Sequence, residues 1–464
     1  MKLSFNILLF ICAFTYRVDA QVYFNKIYPY GTMVANATSV IEIDTGGYLF
    51  PNCTFGSYNS LLISRINSNG DTLFTKEYVK PFYSYSTGTS NSIIHTYDNN
   101  YVFSGSIKDT LNNRNALIIK INSNGDTIWT RSYGGANFDN SNIVCQTPDS
   151  GFVLMGVTQS YSAGPASDFY LIKTDKNGTF QWQKVYGTTL AEDCVSGQIT
   201  LDGGFILSGH RNNQLHIVKT DNNGNFKWEK VYSGTAGQGF VKQLLDSTYI
   251  LVGAKAIAGL GYQAYIAKLT KSGVVIWEKT YGGGGDEQFF AVPIILNDGS
   301  IICSGISTFG NVVGLLIKTD SSGNQQWLRT YYNNFTIDNY FYDVKHTLDN
   351  GYIMSGFTNH GWLVKVDSNG CEIANCNVGI DEFQSILPMF NVFPNPARNE
   401  INLLIEGENI NDFEITIINV FGEKEKVYKG NSTINISYLE SGVYFITAIS
   451  KDGKCRLSEK FIKE

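Results

Sequence analysis

The sequence predicts an all-β chain, and three observations predict it. Aromatic residues make up 14% of the 464 positions and Gly 46 of them, whereas Asp, Glu, Lys and Arg together supply only 16%. A helical bundle needs charged outer faces and a disordered chain needs few aromatics, so both are disfavoured. Short alternating or wholly apolar runs are separated by turns rich in Gly, Asn and Asp, with no helical periodicity between them. Finally, the chain repeats itself. The 35 basic and 41 acidic residues leave a net charge of −6, so nothing in the charge balance points to nucleic acid or an anionic membrane as partner.

Residues 1–20 carry one early cation, Lys2, an apolar run over 3–14, and a small residue, Ala20, at the expected cut. That is a secretory signal peptide; so short an apolar run cannot span a bilayer as a helix. The bulky Phe10 and Ile11 before Cys12 do not suit lipid attachment. Export explains the cysteine usage. Seven cysteines remain after Cys12, too few for a disulfide scaffold. Cys371 and Cys376 are close enough to pair, and Cys53 and Cys303 lie in apolar strand patterns. No Cys/His spacing suggests zinc.

The repeat occupies residues 21–376. An apolar run, a polar turn ending in Gly and an aromatic four residues later recur at Gly70, Gly125, Gly178, Gly224, Gly273 and Gly323, with a truncated copy at Gly370. From Gly70 to Gly370 is 300 residues in six steps, a period of 50. A second run recurs in phase, ending near Gly105, Gly156, Gly209, Gly253, Gly305 or Gly356. Asx residues that bond the local backbone and Gly at positive φ make tight hairpin turns of these junctions, so each repeat is about four antiparallel strands. Four-stranded units of this length, repeated radially, are the blades of a β-propeller. The seventh copy lacks its aromatic strand, and residues 22–28 (VYFNKIY) supply one, with Phe24 at the Trp position. The expectation is a seven-bladed β-propeller closed by the N-terminal strand, its sheet edges removed at the seam.

Phe24, Phe74, Trp129, Trp182, Trp228, Trp277 and Trp327 hold one register, one per blade, as packing between blades requires. The Gly-to-Trp spacing is similar to the tryptophan-docking turn of quinoprotein-type propellers and to the Asp-box of sialidase-like propellers. The Asp-to-Gly spacing differs from both, so neither cofactor binding nor sialidase chemistry follows.

After a linker at 377–391, residues 392–464 read as a small β-sandwich with turns every 8–12 residues. Pro394, Asn395 and Pro396, then Gly422 after an apolar strand, then Gly442 and Tyr444, then a basic-apolar terminal strand, follow in order. This segment resembles the type A sorting domain of the type IX secretion system of Bacteroidetes. The resemblance implies export across the outer membrane, with the translocon as partner and the C-terminal domain as its recognition signal. The repeats before it resemble uncharacterised propellers fused to such domains, which names no activity.

Strand order puts the two tight turns of each blade on one face and the long variable loops on the other, where binding residues are expected. Phe82, Tyr83, Tyr85, Tyr161, Tyr332, Phe335, Tyr340 and Tyr342 stand on those loops or beside them. Acids recur near the starts of the inner strands, among them Asp139, Glu192, Asp193, Asp286, Glu287 and Asp343. Around a central channel they could hold Ca²⁺ or supply an acid/base pair; alternatively they bond backbone amides between blades. The Asn-rich turns lack the remaining ligands of a Ca²⁺ loop, and no cofactor or metal is expected from the motifs. Several Asp-Thr-apolar triplets, such as Asp71-Thr72-Leu73, match a short O-glycosylation pattern. Motifs for zinc proteases, nucleophile elbows and P-loops do not occur. The leading expectation is a secreted or surface-held non-catalytic module binding glycan or protein, with no transmembrane segment; the alternative is a polysaccharide hydrolase or lyase with carboxylates from several blades.

Overall fold

The computed structural model describes residues 22–43, 46–56, 58–283, 285–308, 311–333, 337–373, 390–405, 409–419, 424–451 and 456–464. The expected signal peptide at 1–20, Phe335, Cys376, Gly422 and most of the expected 377–391 linker lie outside them. The described secondary structure is strands and one short 3-10 turn, with no α-helix. The chain divides into two compact units, 1–381 and 382–464.

Among the described residues the first unit shows seven antiparallel sheets of four or five strands. The third is representative: Asp139–Gln146, Phe152–Thr158, Asp168–Thr174 and Phe180–Tyr186 pair in sequence order. In the first, second and sixth sheets the inner strand is split in two by an irregular segment. The seventh sheet takes its edge strand from the other end of the unit. Phe24–Tyr28 pairs antiparallel with His360–Val366, Phe24 opposite Lys365 and Tyr28 opposite Gly361. The two middle strands of each sheet are almost wholly buried, as with Phe152–Thr158, because both their faces meet neighbouring sheets.

One contact recurs between successive sheets. The tyrosine that ends each outer strand donates to the carbonyl of the next sheet's turn glycine: Tyr28 to Gly70, Tyr78 to Gly125, Tyr133 to Gly178, Tyr186 to Gly224, Tyr232 to Gly273, Tyr281 to Gly323 and Tyr331 to Gly370. The aromatic of the same outer strand lies over that glycine. A Cβ on Gly178 would sit 2.9 Å from the Trp129 ring, and one on Gly70 3.0 Å from Phe24. These seven glycines also have φ between +72° and +78°, where an L side chain is strained. The aromatics from Phe74 to Trp327 are half-buried, since one face covers the neighbouring turn and the other meets solvent.

A second recurring device joins the two turns within a sheet. Lys120, Lys173, Lys219 and Lys365, all nearly buried, bond Asp98, Asp149, Asp202 and Asp349 in the preceding turn. Although burial works against it, hydrogen bonds from Lys120 and Thr96 hold the Asp98 carboxyl down at about 2. Asp149 is held at about 2 by Thr147 and Lys173, again against burial.

The second unit is a three-stranded and a four-stranded sheet around one apolar core of Phe390, Ile401, Leu403, Ile415, Ile417, Ile446, Phe461 and their neighbours.

Candidate functional site

Residues 88–92 leave the second sheet between Ser84–Thr87 and Ile93–His95 and reach four other sheets. Thr89 N donates to Asn142 O and Thr89 Oγ1 to Val195 O; Ser90 Oγ donates to Asp343 at 2.6 Å and accepts from Val292 N. Small polar side chains let this segment, Gly-Thr-Ser-Asn-Ser, pass among backbones and satisfy them.

The predicted carboxylates do not gather around an open channel. Asp139, Glu192 and Asp343 are fully buried, each held by partners of its own. Asp139 accepts from Thr158, Ser160 and Gly135 N, tying down the loop that precedes its strand. Glu192 accepts from Thr188 Oγ1 at 2.8 Å and Arg211 Nε at 2.7 Å. Asp343 accepts from Ser39, Ser90, Val40 N and Lys345, so it joins the first, second and seventh sheets. Asp286 accepts from Tyr262 N. Asp193 stands opposite His210 across the strand pair, and burial pushes its carboxyl up. Asp139, Asp286 and Asp343 satisfy backbone, hydroxyl or lysine donors, whereas Glu192 Oε2 is buried without a hydrogen-bond partner. A group of three His, Cys, Asp or Glu placed to hold a metal is absent among the described residues.

The predicted aromatics separate into groups. Tyr85 is buried in the core between the first two sheets, beside Ile93 and Phe103, because the period-2 pattern of Ser84–Thr87 turns it inward. The expectation of an exposed Tyr85 is corrected on that ground. Tyr83 packs partly against the same core, with Lys80 Nζ 3.8 Å from its ring centroid. Phe82 is exposed at φ +68° and meets the Tyr58 ring edge-on. Tyr161 is partly exposed and donates its hydroxyl to Gly134 O; the carbonyl of Tyr332 accepts from Asn25. Tyr340 stacks on Tyr342, with centroids 6.0 Å apart.

Tyr342 marks a cavity of about 320 Å³ that takes lining residues from the first, second, fifth, sixth and seventh sheets. Phe290, 6.5 Å from Tyr342 between centroids, forms the other aromatic wall. Asn36, Thr38, Thr87, Thr89 and Gln238 supply amides and hydroxyls, and Phe55 and Asn59 set the cavity at the loop-bearing end. Asn36 Oδ1 and Thr38 Oγ1 are buried without a hydrogen-bond partner. The lining contains no charged side chain. Except for Tyr342 these residues escaped the sequence reading, because they come from five repeats at positions with no local motif.

In the second unit the sorting residues converge. Asn395 Nδ2 donates to Lys460 O and its Oδ1 accepts from Ile462 N, both at 2.9 Å. Ala397 N donates to Ile462 O, so the Pro394–Pro396 turn is held on the terminal strand. Tyr444 stacks on Phe461 of that strand, centroids 5.7 Å apart, and Gly442 opens the strand Gly442–Ser450. Residues 391–464 match the secretion system C-terminal sorting domain. The tail implies engagement with the type IX secretion machinery and export to the cell surface or beyond. No described helix is long and apolar enough to cross a membrane.

Much of the chain is similar in structure to all-β proteins of propeller-like fold. It resembles the BP39L lectin from Burkholderia pseudomallei at TM-score 0.51 and 9% identity, over 72% of this chain and 97% of that one. It also matches PorZ of the Porphyromonas gingivalis type IX system at TM-score 0.36 and 10% identity, over 96% and 86% of the two chains. A third match is the extracellular domain of the two component system BT3049 from B. thetaiotaomicron, at TM-score 0.47 and 10% identity over 92% of this chain. The chain spans about half, 55%, of that relative's length. No curated protein matches the sequence. At such identities the likeness speaks to the β-propeller-like fold alone.

Cys371 is disulfide-bonded, whereas Cys53, Cys145, Cys194 and Cys303 are free.

Proposed function

We propose that the first unit is a seven-bladed propeller whose ring closes through Phe24–Tyr28, and that after type IX export it acts outside the cell as a binding module. Its ligand is neutral and rich in hydroxyls, a glycan in the first instance, taken into the cavity beside Tyr342. The observation that carries this reading is the pair of unpartnered oxygens, Asn36 Oδ1 and Thr38 Oγ1, on residues that line one cavity with Tyr342 and Phe290. A buried polar atom without a partner costs about 1–3 kcal/mol. A ligand hydroxyl would relieve that cost while a sugar ring stacks on the aromatic wall. The uncharged lining favours a neutral ligand over an ionic one. The hydrolase alternative needs two carboxyls facing the bound sugar, and the lining of the cavity beside Tyr342 holds none.

The test is a glycan array with the mature chain, 21–464, beside its Tyr342→Ala and Asn36→Ala variants. Binding that both substitutions weaken at least tenfold supports the assignment. Binding untouched by either removes the site, and release of shortened sugar from any bound glycan would restore the enzyme reading.

A further inference from the structure

Six of the seven repeats have Gly at one place in the second strand: Gly105, Gly156, Gly209, Gly253, Gly305 and Gly356. A Cβ at any of them would come within 1.7–2.8 Å of an inner-strand carbonyl oxygen. The first repeat has Asn52 there instead, and Asn52 is 2% exposed. Its Nδ2 donates to Ser64 Oγ at 3.2 Å, and its Oδ1 has no partner. Turning the amide over would only exchange which end is left unpaired. Ser64 is itself an exception, standing where the other sheets have aliphatic residues such as Ile119, Ile172, Val218 and Ile317. Its hydroxyl continues the polar chain to Thr75 Oγ1 at 3.0 Å. The last sheet makes room opposite, since a Cβ on Gly361 would lie 2.5 Å from Asn52 Oδ1.

These exceptions meet at a cavity of about 550 Å³ between the edge strand Phe24–Tyr28 and the first sheet. Its volume is in the range of small-molecule sites. The charges in its lining, Lys26 and Asp71, are paired with each other at 2.8 Å. What remains is amide and hydroxyl, from Asn52, Ser64 and Thr75 on one wall and Asn25 and Tyr30 on the other. Aliphatic packing has been given up at the seam for hydrogen-bonding groups, one of them left open. We propose that this seam cavity is a second binding site, for a small neutral polyol such as a terminal hexose, distinct from the cavity at Tyr342.

The experiment uses the mature chain with glucose, galactose and N-acetylglucosamine as probes, read by saturation-transfer NMR and titration. The double substitution Asn52→Gly with Ser64→Ile restores the residues of the other repeats, so it should fold at least as well as the parent. It is expected to lose affinity tenfold or more while Tyr342→Ala leaves this binding unchanged. Thr75→Val, at the exposed mouth, checks the same direction by a milder change. The proposal is overturned if none of the three sugars binds at millimolar concentration, if the double variant binds like the parent, or if Tyr342→Ala alone abolishes binding. In that last case the failure belongs to the seam and leaves the central cavity standing.

Discussion

The Tyr28 hydroxyl donates to the Gly70 carbonyl at 2.9 Å, joining the edge strand of the last sheet to a turn of the first. Six other tyrosines make the same bond to the sheet that follows theirs, at the same spacing of about 40 residues. One hydrogen bond of this kind contributes about 1 kcal/mol. Tyr28→Phe and Tyr186→Phe are therefore expected to lower stability by similar amounts, each about 1 kcal/mol, in urea titrations. Gly70→Ala should cost more, roughly 2 kcal/mol, because positive φ and the Phe24 ring both oppose a Cβ. A Tyr28→Phe cost near zero beside a full Tyr186→Phe cost would show the seam to be open in solution.

The lysine–aspartate pairs predict an asymmetry. Lys173 is nearly buried and Asp149 is half-exposed, so removing the acid strands a buried cation. Asp149→Asn should destabilise by about 2 kcal/mol, less than the loss for a wholly buried pair. Lys173→Met, which removes the buried charge itself, should be close to neutral by the same measurement.

The same pairs set an acid limit. Because the folded Asp98 and Asp149 carboxyls sit at about 2, below their unfolded values, their contribution is fully present above about pH 4. It is lost as pH falls through the folded values. Melting temperature should fall between about pH 4 and 2, and the fall should shrink when Asp98 and Asp149 are both replaced by Asn.

Binding in the cavity beside Tyr342 should be flat with pH over about 5 to 9. Its two titratable groups stay protonated there: burial, then the neighbouring Tyr340, pushes Tyr342 up to about 12, and burial pushes the Cys53 thiol to about 11. A bell-shaped affinity profile would mean that an ionising group outside this lining takes part.

What could be read in the sequence was whatever every repeat states again. The glycine at the turn, the aromatic over it and the closing tyrosine recur at one spacing because each performs the same packing task seven times. The lysine in six of the seven third strands and the aspartate in the preceding turn recur as plainly, and their pairing was available to the same reading. The acids at the inner-strand starts were legible as a series but not in role, since spacing does not say whether a carboxylate faces a ligand or the amides of its own loop. Tyr85 was misplaced because the loop beside it hides a short strand that turns it inward. The cavity at Tyr342 had no signature at all: Asn36, Gln238, Phe290 and Tyr342 are single positions in four repeats, brought together only by the fold. The deviations from the repeat told more than the repeat itself. The extra small residues at 88–92 bond to four other sheets, and Asn52 in place of glycine lines the seam cavity.

Asn395 makes two hydrogen bonds to the terminal strand, to Lys460 O and from Ile462 N, and no other side chain of its turn is tied to that strand in this way. Asn395→Ala removes both and leaves the Pro394–Pro396 turn held by the backbone of Ala397. The apolar core beneath, with Ile401, Ile415 and Phe461 fully buried, is untouched, so the second unit should keep its strand content by circular dichroism. If the translocon reads the surface made by this turn and the last strand, Asn395→Ala should reduce the exported fraction several-fold in a host with an active type IX system. Tyr444→Phe, which keeps the stack on Phe461 and loses only the hydroxyl bond to Glu440 O, should export near normally. Fractionation with immunoblotting of culture medium and cell envelope distinguishes the two, and equal export of both variants would assign recognition to another face of the domain.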